Sequence, residues 1–330
     1  MNKKIIASLL VLTGMLGVAG YTEVKKEQVA REKPVVGILQ FMKHPALDEI
    51  HRGIEDELAK EGFEKGKNIE IDYQNAQGDQ SNLKTMATRF SNEDADVSVG
   101  IATPAAVALA NTISDKTVVF SGITDPVGSK LIKNEAKPEK NITGISGKAP
   151  LKDQLKLIQD FMPQLKTLGV VYTSSDDSAS TEAKQMIELA EAAGIKVKAY
   201  TITSSNDLNQ TSQQMVANGQ VDAVFVPTDN TIAGAMPTLI KNTNDAKVPV
   251  FPTVDTMVEA GGVAASSINQ RELGTMTGKM IAKNLRGEKV EDLPVEAIEK
   301  GTPIINQKQA DDLGIKIPDA YKDAKRVDKE

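Results

Sequence analysis

The chain has 330 residues, 40% of them hydrophobic and 25% charged, with a formal net charge of −6 and no cysteine. That length suits two domains of roughly 150 residues each, and the composition is that of a soluble globular protein. Without cysteine there is no disulfide, thiol nucleophile, Cys-ligated zinc or iron–sulfur cluster; His44 and His51 are too few for a multi-His metal site, and the acidic balance offers no basic face to a nucleic-acid backbone.

Met1-Asn2-Lys3-Lys4 is basic, and Ile5 to Gly20 is apolar apart from Ser8 and Thr13. This stretch is short for a membrane-spanning helix, which needs roughly 20 residues, and reads as an export signal over 1–20. Leu16-Gly17-Val18-Ala19-Gly20-Tyr21 resembles the end of a bacterial lipoprotein signal, in which a cysteine follows Ala-Gly and carries the lipid. Tyr21 stands there instead, and a phenol cannot form that thioether, which argues against the anchor. Residues 21–33, rich in Lys and Glu without apolar periodicity, read as a flexible tether.

From Pro34 the pattern becomes regular. Val35 to Leu39 is an apolar run suited to a strand buried on both faces. Pro45 to Glu61 carries Leu47, Ile50, Ile54 and Leu58 at helical spacing and stops at Gly62. Asn68–Tyr73 reads as a strand, Ser81–Phe90 as a helix, Asp96–Ile101 as a strand, Thr103–Asn111 as a helix and Val118–Phe120 as a strand. The pattern then restarts. Leu151–Phe161 is helical, Leu168–Tyr172 a strand, Ser178–Ala193 a helix, Ile195–Tyr200 a strand and Asp207–Ala217 a helix. Val221–Val226 is a strand, Thr231–Asn242 a helix, Val248–Phe251 and Gly262–Ser267 strands, and Arg271–Asn284 a helix. Strands alternating with helices predict an α/β protein with two doubly wound parallel-sheet lobes.

In open α/β sheets, ligands sit beyond the carboxyl ends of the strands. The residues expected there in the first lobe are Gln40 and Phe41, with His44 just beyond, then Thr103, Pro104 and Ala105, then Thr124 and Asp125. Thr103 reads as an N-cap with Pro104 as the first helical residue, so that free amides and a hydroxyl could take an anion. In the second lobe the strand ends carry Ser174, Ser175 and Asp176, then Asp229 and Asn230, then Asp255. An ammonium needs a carboxylate, and a carboxylate needs amides, hydroxyls or a cation, so the set suits a zwitterion held between lobes. Each acid has an ordinary alternative as a cap or turn residue, Asp125 before Pro126 in particular. Neither a G-x-S-x-G elbow nor a P-loop occurs. No metal or cofactor is expected.

The chain resembles the solute-binding proteins of bacterial ABC importers, which have the type I periplasmic-binding fold, from Pro34 to about Tyr321. Pro227-Thr228-Asp229-Asn230-Thr231-Ile232-Ala233-Gly234-Ala235 and Arg271-Glu272-Leu273-Gly274 carry part of that likeness. It is more narrowly similar to the tryptophan/tyrosine-type subfamily through Gly122-Ile123-Thr124-Asp125-Pro126-Val127-Gly128, Asn141-Ile142-Thr143-Gly144-Ile145-Ser146 and Val254-Asp255-Thr256-Met257-Val258-Glu259-Ala260-Gly261-Gly262. The resemblance implies a ligand-binding trap for an aromatic amino acid, with Ser146 added to the site. Phe41 and Tyr172 are the candidate stacking aromatics. The implied lobes are 34–145 plus 268–298 and 146–267 plus 299–330, crossing near Thr143–Gly147, Ser267–Gln270 and Val295–Thr302. The implied partner is an ABC permease at the extracytoplasmic face of the membrane. The protein is expected to act as a monomer and not as an enzyme. A ligand sensor of the same fold, facing a membrane receptor, is the alternative.

Overall fold

The computed structural model describes residues 33–138 and 140–327; the segments read as export signal and tether lie outside them, save Lys33. A six-stranded sheet has the order β11-β5-β4-β3-β1-β2, and all its pairings are parallel. Its strands are β1 (Val35–Gln40), β2 (Glu70–Asn75), β3 (Val97–Ile101), β4 (Thr117–Ile123), β5 (Ile142–Ser146) and β11 (Glu296–Ala297). Every residue of β1, β3 and β5 is buried, as expected of parallel strands covered on both faces. The crossover helices are α1 (Pro45–Lys60), α2 (Gln80–Asn92) and α3 (Thr103–Thr112).

A second parallel sheet has the order β7-β6-β8-β9, with β6 (Thr167–Thr173), β7 (Lys196–Ile202), β8 (Ala223–Val226) and β9 (Val250–Pro252). Helices α4 (Leu151–Phe161), α5 (Asp177–Ala192), α6 (Leu208–Val216), α7 (Asn230–Gly234), α8 (Met236–Asp245) and α9 (Asp255–Glu259) belong with it in chain order. The single helix expected over 231–242 is two helices. They part at Ala235 (φ −118°), where Pro237 in the first turn of α8 cannot donate to a continuous ladder.

The chain passes from β5 into α4, and returns from β10 (Ala264–Ser267) into α10 (Gln270–Leu285). It leaves again from β11 into β12 (Thr302–Ile305), followed by α11 (Gln307–Asp312) and β13 (Lys325–Arg326). The strand expected at 262–267 forms as β10. It joins a small third sheet, antiparallel to β12, which itself runs parallel to β13. No sequence pattern predicts β12 or β13, each too short to show an alternation.

Helix α10 lies against α1 with the two backbones nearly touching. A Cβ on Gly274 would fall 2.1 Å from the Ile50 carbonyl oxygen, and one on Gly53 would fall 2.3 Å from that of Arg271. Only glycine permits that approach. The contact fixes the start of α1, which forms part of the site.

Candidate functional site

The carboxyl ends of the two parallel sheets face one another across a small cavity of about 30 Å³, room for about one water molecule. From the first sheet, the loop after β1 and the start of α1 contribute His44, Ala46, Leu47 and Ile50; the turn after β3 contributes Ala102 and Thr103; β4 contributes Gly122. From the second, Ser178 comes from α5, Thr228 and Asp229 from the loop after β8, and Asn230 and Ala233 from α7. Val254 and Gln270 complete the lining beside the crossing after β10.

Two helices open on this cavity from the first sheet without a side-chain cap. The N-cap of α1 is His44 and that of α3 is Ala102, and neither side chain bonds a helix amide. The first amides of a helix lack intrahelical partners and carry the positive end of its dipole, so this wall favours an anion. Ala102 sits at φ 72°, ψ 155°, which is costly for a residue with a Cβ and turns the chain abruptly into α3. This corrects the reading of Thr103 as N-cap. Thr103 is the first helical residue, and its hydroxyl is 3.0 Å from that of Ser178 on the opposite wall.

The second wall is acidic. Asp229 is buried: Oδ2 accepts from the Thr173 amide at 2.6 Å, and Oδ1 accepts from the Thr173 hydroxyl at 3.0 Å and the Ile232 amide at 2.9 Å. Burial, reinforced by the charge of Asp176, pushes its carboxyl up to about 6. Asp176 caps α5 through the Ala179 amide at 3.0 Å and accepts from Asn230 Nδ2 at 3.1 Å; burial raises its pKa. Glu182, one turn beyond Ser178 in α5, is fully buried. It accepts from the Thr228 amide at 2.7 Å, while its other oxygen has no partner, and burial pushes it up to about 7.

A second hydrogen bond joins the walls: His44 Nε2 lies 3.1 Å from Asn230 Oδ1, both side chains buried. Burial lowers the His44 pKa. Beside these bonds lies a wider cleft of about 890 Å³ and mixed polar and apolar lining, to which Phe41, Pro104, Ser175, Asp176 and Thr103 contribute.

Of the residues singled out from sequence, the structure brings Thr103, Asp229 and Asn230 together in the cavity. Phe41, Pro104, Ser175 and Asp176 line the outer cleft. Ala105 packs in the core of the first sheet, and Ser174 is exposed, bonded to the Ile202 carbonyl. Gln40 is buried: Nε2 donates to Met42 O and Asp48 Oδ1, and Oε1 is unpartnered. Thr124 is buried with its hydroxyl unpartnered, and Ser146 donates to the Ile123 carbonyl. Asp125 takes its turn role, accepting from the Gly128 amide at 2.7 Å. Asp255 accepts from Asn269 Nδ2 at 3.2 Å, the side chain that caps α10, and so ties α9 to the crossing. Tyr172 packs against the core of the second sheet. The strand-end rule finds the loops and reaches His44 only as a residue just beyond Gln40 and Phe41, and it misses Ser178, Thr228 and Gln270. Pro45 after His44 is the available sign of a helix start needing another cap. Among the described residues no His, Asp and Glu cluster suits a metal, and no helix is long and apolar enough to cross a membrane.

The family described as ABC transporter substrate binding protein matches residues 35–327. A tyrosine-binding protein of Clostridioides difficile (strain R20291) is 31% identical over 318 residues, covering 93% of this chain and 91% of that protein. A crystal structure from Streptococcus pneumonia, described as an ABC domain in complex with L-Trp, is 41% identical. It covers 89% of this chain and 99% of that one, with a TM-score of 0.85. The ligand-free, open structure of a substrate binding protein with adhesive properties from Clostridium difficile is 35% identical. It covers 90% and 100% of the two chains, with a TM-score of 0.71.

Proposed function

The chain belongs to the ABC transporter substrate binding protein family, and from that premise we propose that it holds one aromatic amino acid, tryptophan or tyrosine, in the cleft between the facing strand ends. The family is one of extracytoplasmic binding proteins that serve a permease, not of enzymes, and the fold is the type I periplasmic-binding fold. The observation that carries the ligand reading is the polarity of the cavity: two uncapped helix starts on one wall and buried Asp229 on the other. The ligand carboxylate faces the amides of α1 and α3, and its ammonium faces Asp229. The ring lies in the wider cleft, where Phe41 and Pro104 offer it apolar surface. The names of the tyrosine-binding relative and of the L-Trp complex support the choice of side chain.

The two sheets act as lobes, 34–145 plus 268–298 and 146–267 plus 299–330, that close over the ligand about the three crossings. The bonds from His44 to Asn230 and from Thr103 to Ser178 support reading this as the closed arrangement. The TM-scores agree with it: 0.85 against the ligand complex, 0.71 against the open form. Closure strips water from the zwitterion, so each of its charges must find protein partners. The protein works as a monomer, exported by residues 1–20.

The test uses the absence of tryptophan from the chain. Emission of free L-tryptophan, excited at the indole band, is followed as protein is added. A saturable change, competed by tyrosine but not by leucine, is expected. No change at high protein concentration, with no stabilisation by tyrosine in a thermal-shift assay, overturns the reading.

A further inference from the structure

Asn230 stands between two partners, one on each wall. Behind it is Asp176, which takes the Ala179 amide on Oδ1 and faces the Asn230 backbone amide on Oδ2 at 3.5 Å. Backbone amides only donate, so both carboxylate oxygens are acceptors. The end of the Asn230 side chain that meets Oδ2 at 3.1 Å is therefore the donor Nδ2. This orients the Asn230 amide with Oδ1 toward the other wall, where it lies 3.1 Å from His44 Nε2. A carbonyl oxygen only accepts, so Nε2 carries the proton and donates it. Among the described residues neither Asn230 Oδ1 nor His44 Nε2 has a second hydrogen-bond partner, and both side chains are buried.

Resting on the proposed function, we infer that Asn230 is a positioning residue for closure: aimed by Asp176, its carbonyl receives the His44 N–H of the opposite lobe and holds the two lobes shut over the ligand. With the lobes apart, water meets both groups. With the lobes together each has only the other, so the pair is satisfied or left unsatisfied as one. Burial lowers the His44 pKa, so the ring that enters the contact is neutral, and closing the lobes strips no charge of water at this point. The bond forms after the ligand has entered. It therefore governs how slowly the ligand leaves, while the rate of encounter belongs to the open form. A bond between neutral groups shifts an equilibrium by about tenfold at most. Taking a two-state protein from nearly all open to nearly all closed needs about 10⁴-fold, so the ligand still supplies most of the difference.

The experiment is a double-mutant cycle read by kinetics. Association and dissociation rates of L-tryptophan are followed by stopped-flow ligand fluorescence in wild type, His44→Ala, Asn230→Ala and the double variant. Each single variant leaves one group unpaired when the lobes close. Each is expected to speed dissociation about fivefold to a hundredfold, with association changed less than about threefold. The double variant is expected to be no worse than the more affected single one. His44→Gln, whose side-chain amide N–H reaches the place of ring Nε2, should return dissociation to within about threefold of wild type, a rescue that a merely structural role for the ring would not give. Nitrogen-15 spectra of the imidazoles, simple with only His44 and His51 present, need no variant. With L-tryptophan bound, His44 should be protonated on Nε2 alone, and that proton should exchange with water more slowly than in the free protein. Dissociation unchanged in both single variants, losses that add in the double variant, losses confined to association, His44→Gln no better than His44→Ala, or a bound-state His44 protonated on Nδ1 alone overturns the inference while leaving the binding function standing. Wild type that binds neither tryptophan nor tyrosine overturns both.

Discussion

Replacing Glu182 by glutamine should make the protein less sensitive to rising pH. The carboxyl is buried, faces no cation, and has one oxygen without a partner. Its pKa rises from 4.5 to about 7, chiefly by burial, with the Thr228 and Ala149 hydrogen bonds opposing the rise and the Asp176 charge adding to it. Because the folded pKa lies above the unfolded one, the native state holds the proton more tightly. The stability this confers is complete below pH 4.5 and is lost as pH climbs to about 7. Each pH unit separating the folded and unfolded pKa values is worth about 1.4 kcal/mol, so the loss comes to about 3 kcal/mol. A neutral amide does not ionise and suffers no such loss. Its nitrogen, placed where the unpartnered oxygen lies, costs a roughly constant amount at every pH. Urea unfolding of both proteins between pH 5 and pH 8, without ligand, should show the difference in stability moving toward the variant by about 2.5 kcal/mol with the m-value unchanged. Asp229, Asp176 and Asp255, whose pKa values are also raised, add to the slope in both proteins and largely cancel in the difference. A difference that stays flat across this range would refute the argument that ionised Glu182 destabilises the folded protein.

Ligand affinity should fall in acid. Asp229 has a pKa of about 6 when no cation faces it, so at pH 5 L-tryptophan should bind about tenfold more weakly than at pH 7; Asp229→Asn should weaken binding and flatten the profile, read by the same titration. Ser178→Ala removes the bond to Thr103 that joins the two walls, and should raise Kd about threefold to tenfold, mostly through faster dissociation in stopped-flow traces. Gly274→Ala forces a Cβ to within 2.1 Å of the Ile50 carbonyl, and should cost about 3 kcal/mol or prevent folding, measured by urea unfolding.

The parallel sheets are legible in the chain because their strands are continuous apolar runs, and β1 is the clearest, with every residue from Val35 to Gln40 buried. The elements that escape a sequence reading are decided by partners distant in sequence or by a single residue. Strand β12 exists because β10 pairs with it, and α7 parts from α8 because a proline interrupts a pattern that is otherwise periodic. The candidate site is legible to the level of the loop, not of the side chain. In the β8 loop the strand-end rule points to Asp229 and Asn230, and both reach the cavity. In the β1 loop it points first to Gln40 and Phe41, whereas His44 is the residue that lines it.

The acids explain why residue type alone misleads. A carboxylate placed just after a strand meets the free amides of the next helix before it meets any ligand, and capping is worth about 1 kcal/mol. Asp176 and Asp229 cap α5 and α7 in this way, and Asp255 is held by its own neighbour's amide and by Asn269. The same capping gives the cavity its direction. Helices α1 and α3, from the first sheet, keep their amides free, while α5 and α7, facing them, have theirs covered by carboxylates. One wall is left positive and the other negative. A zwitterion bound across this gap has its orientation set by which helix starts the sequence capped and which it left open.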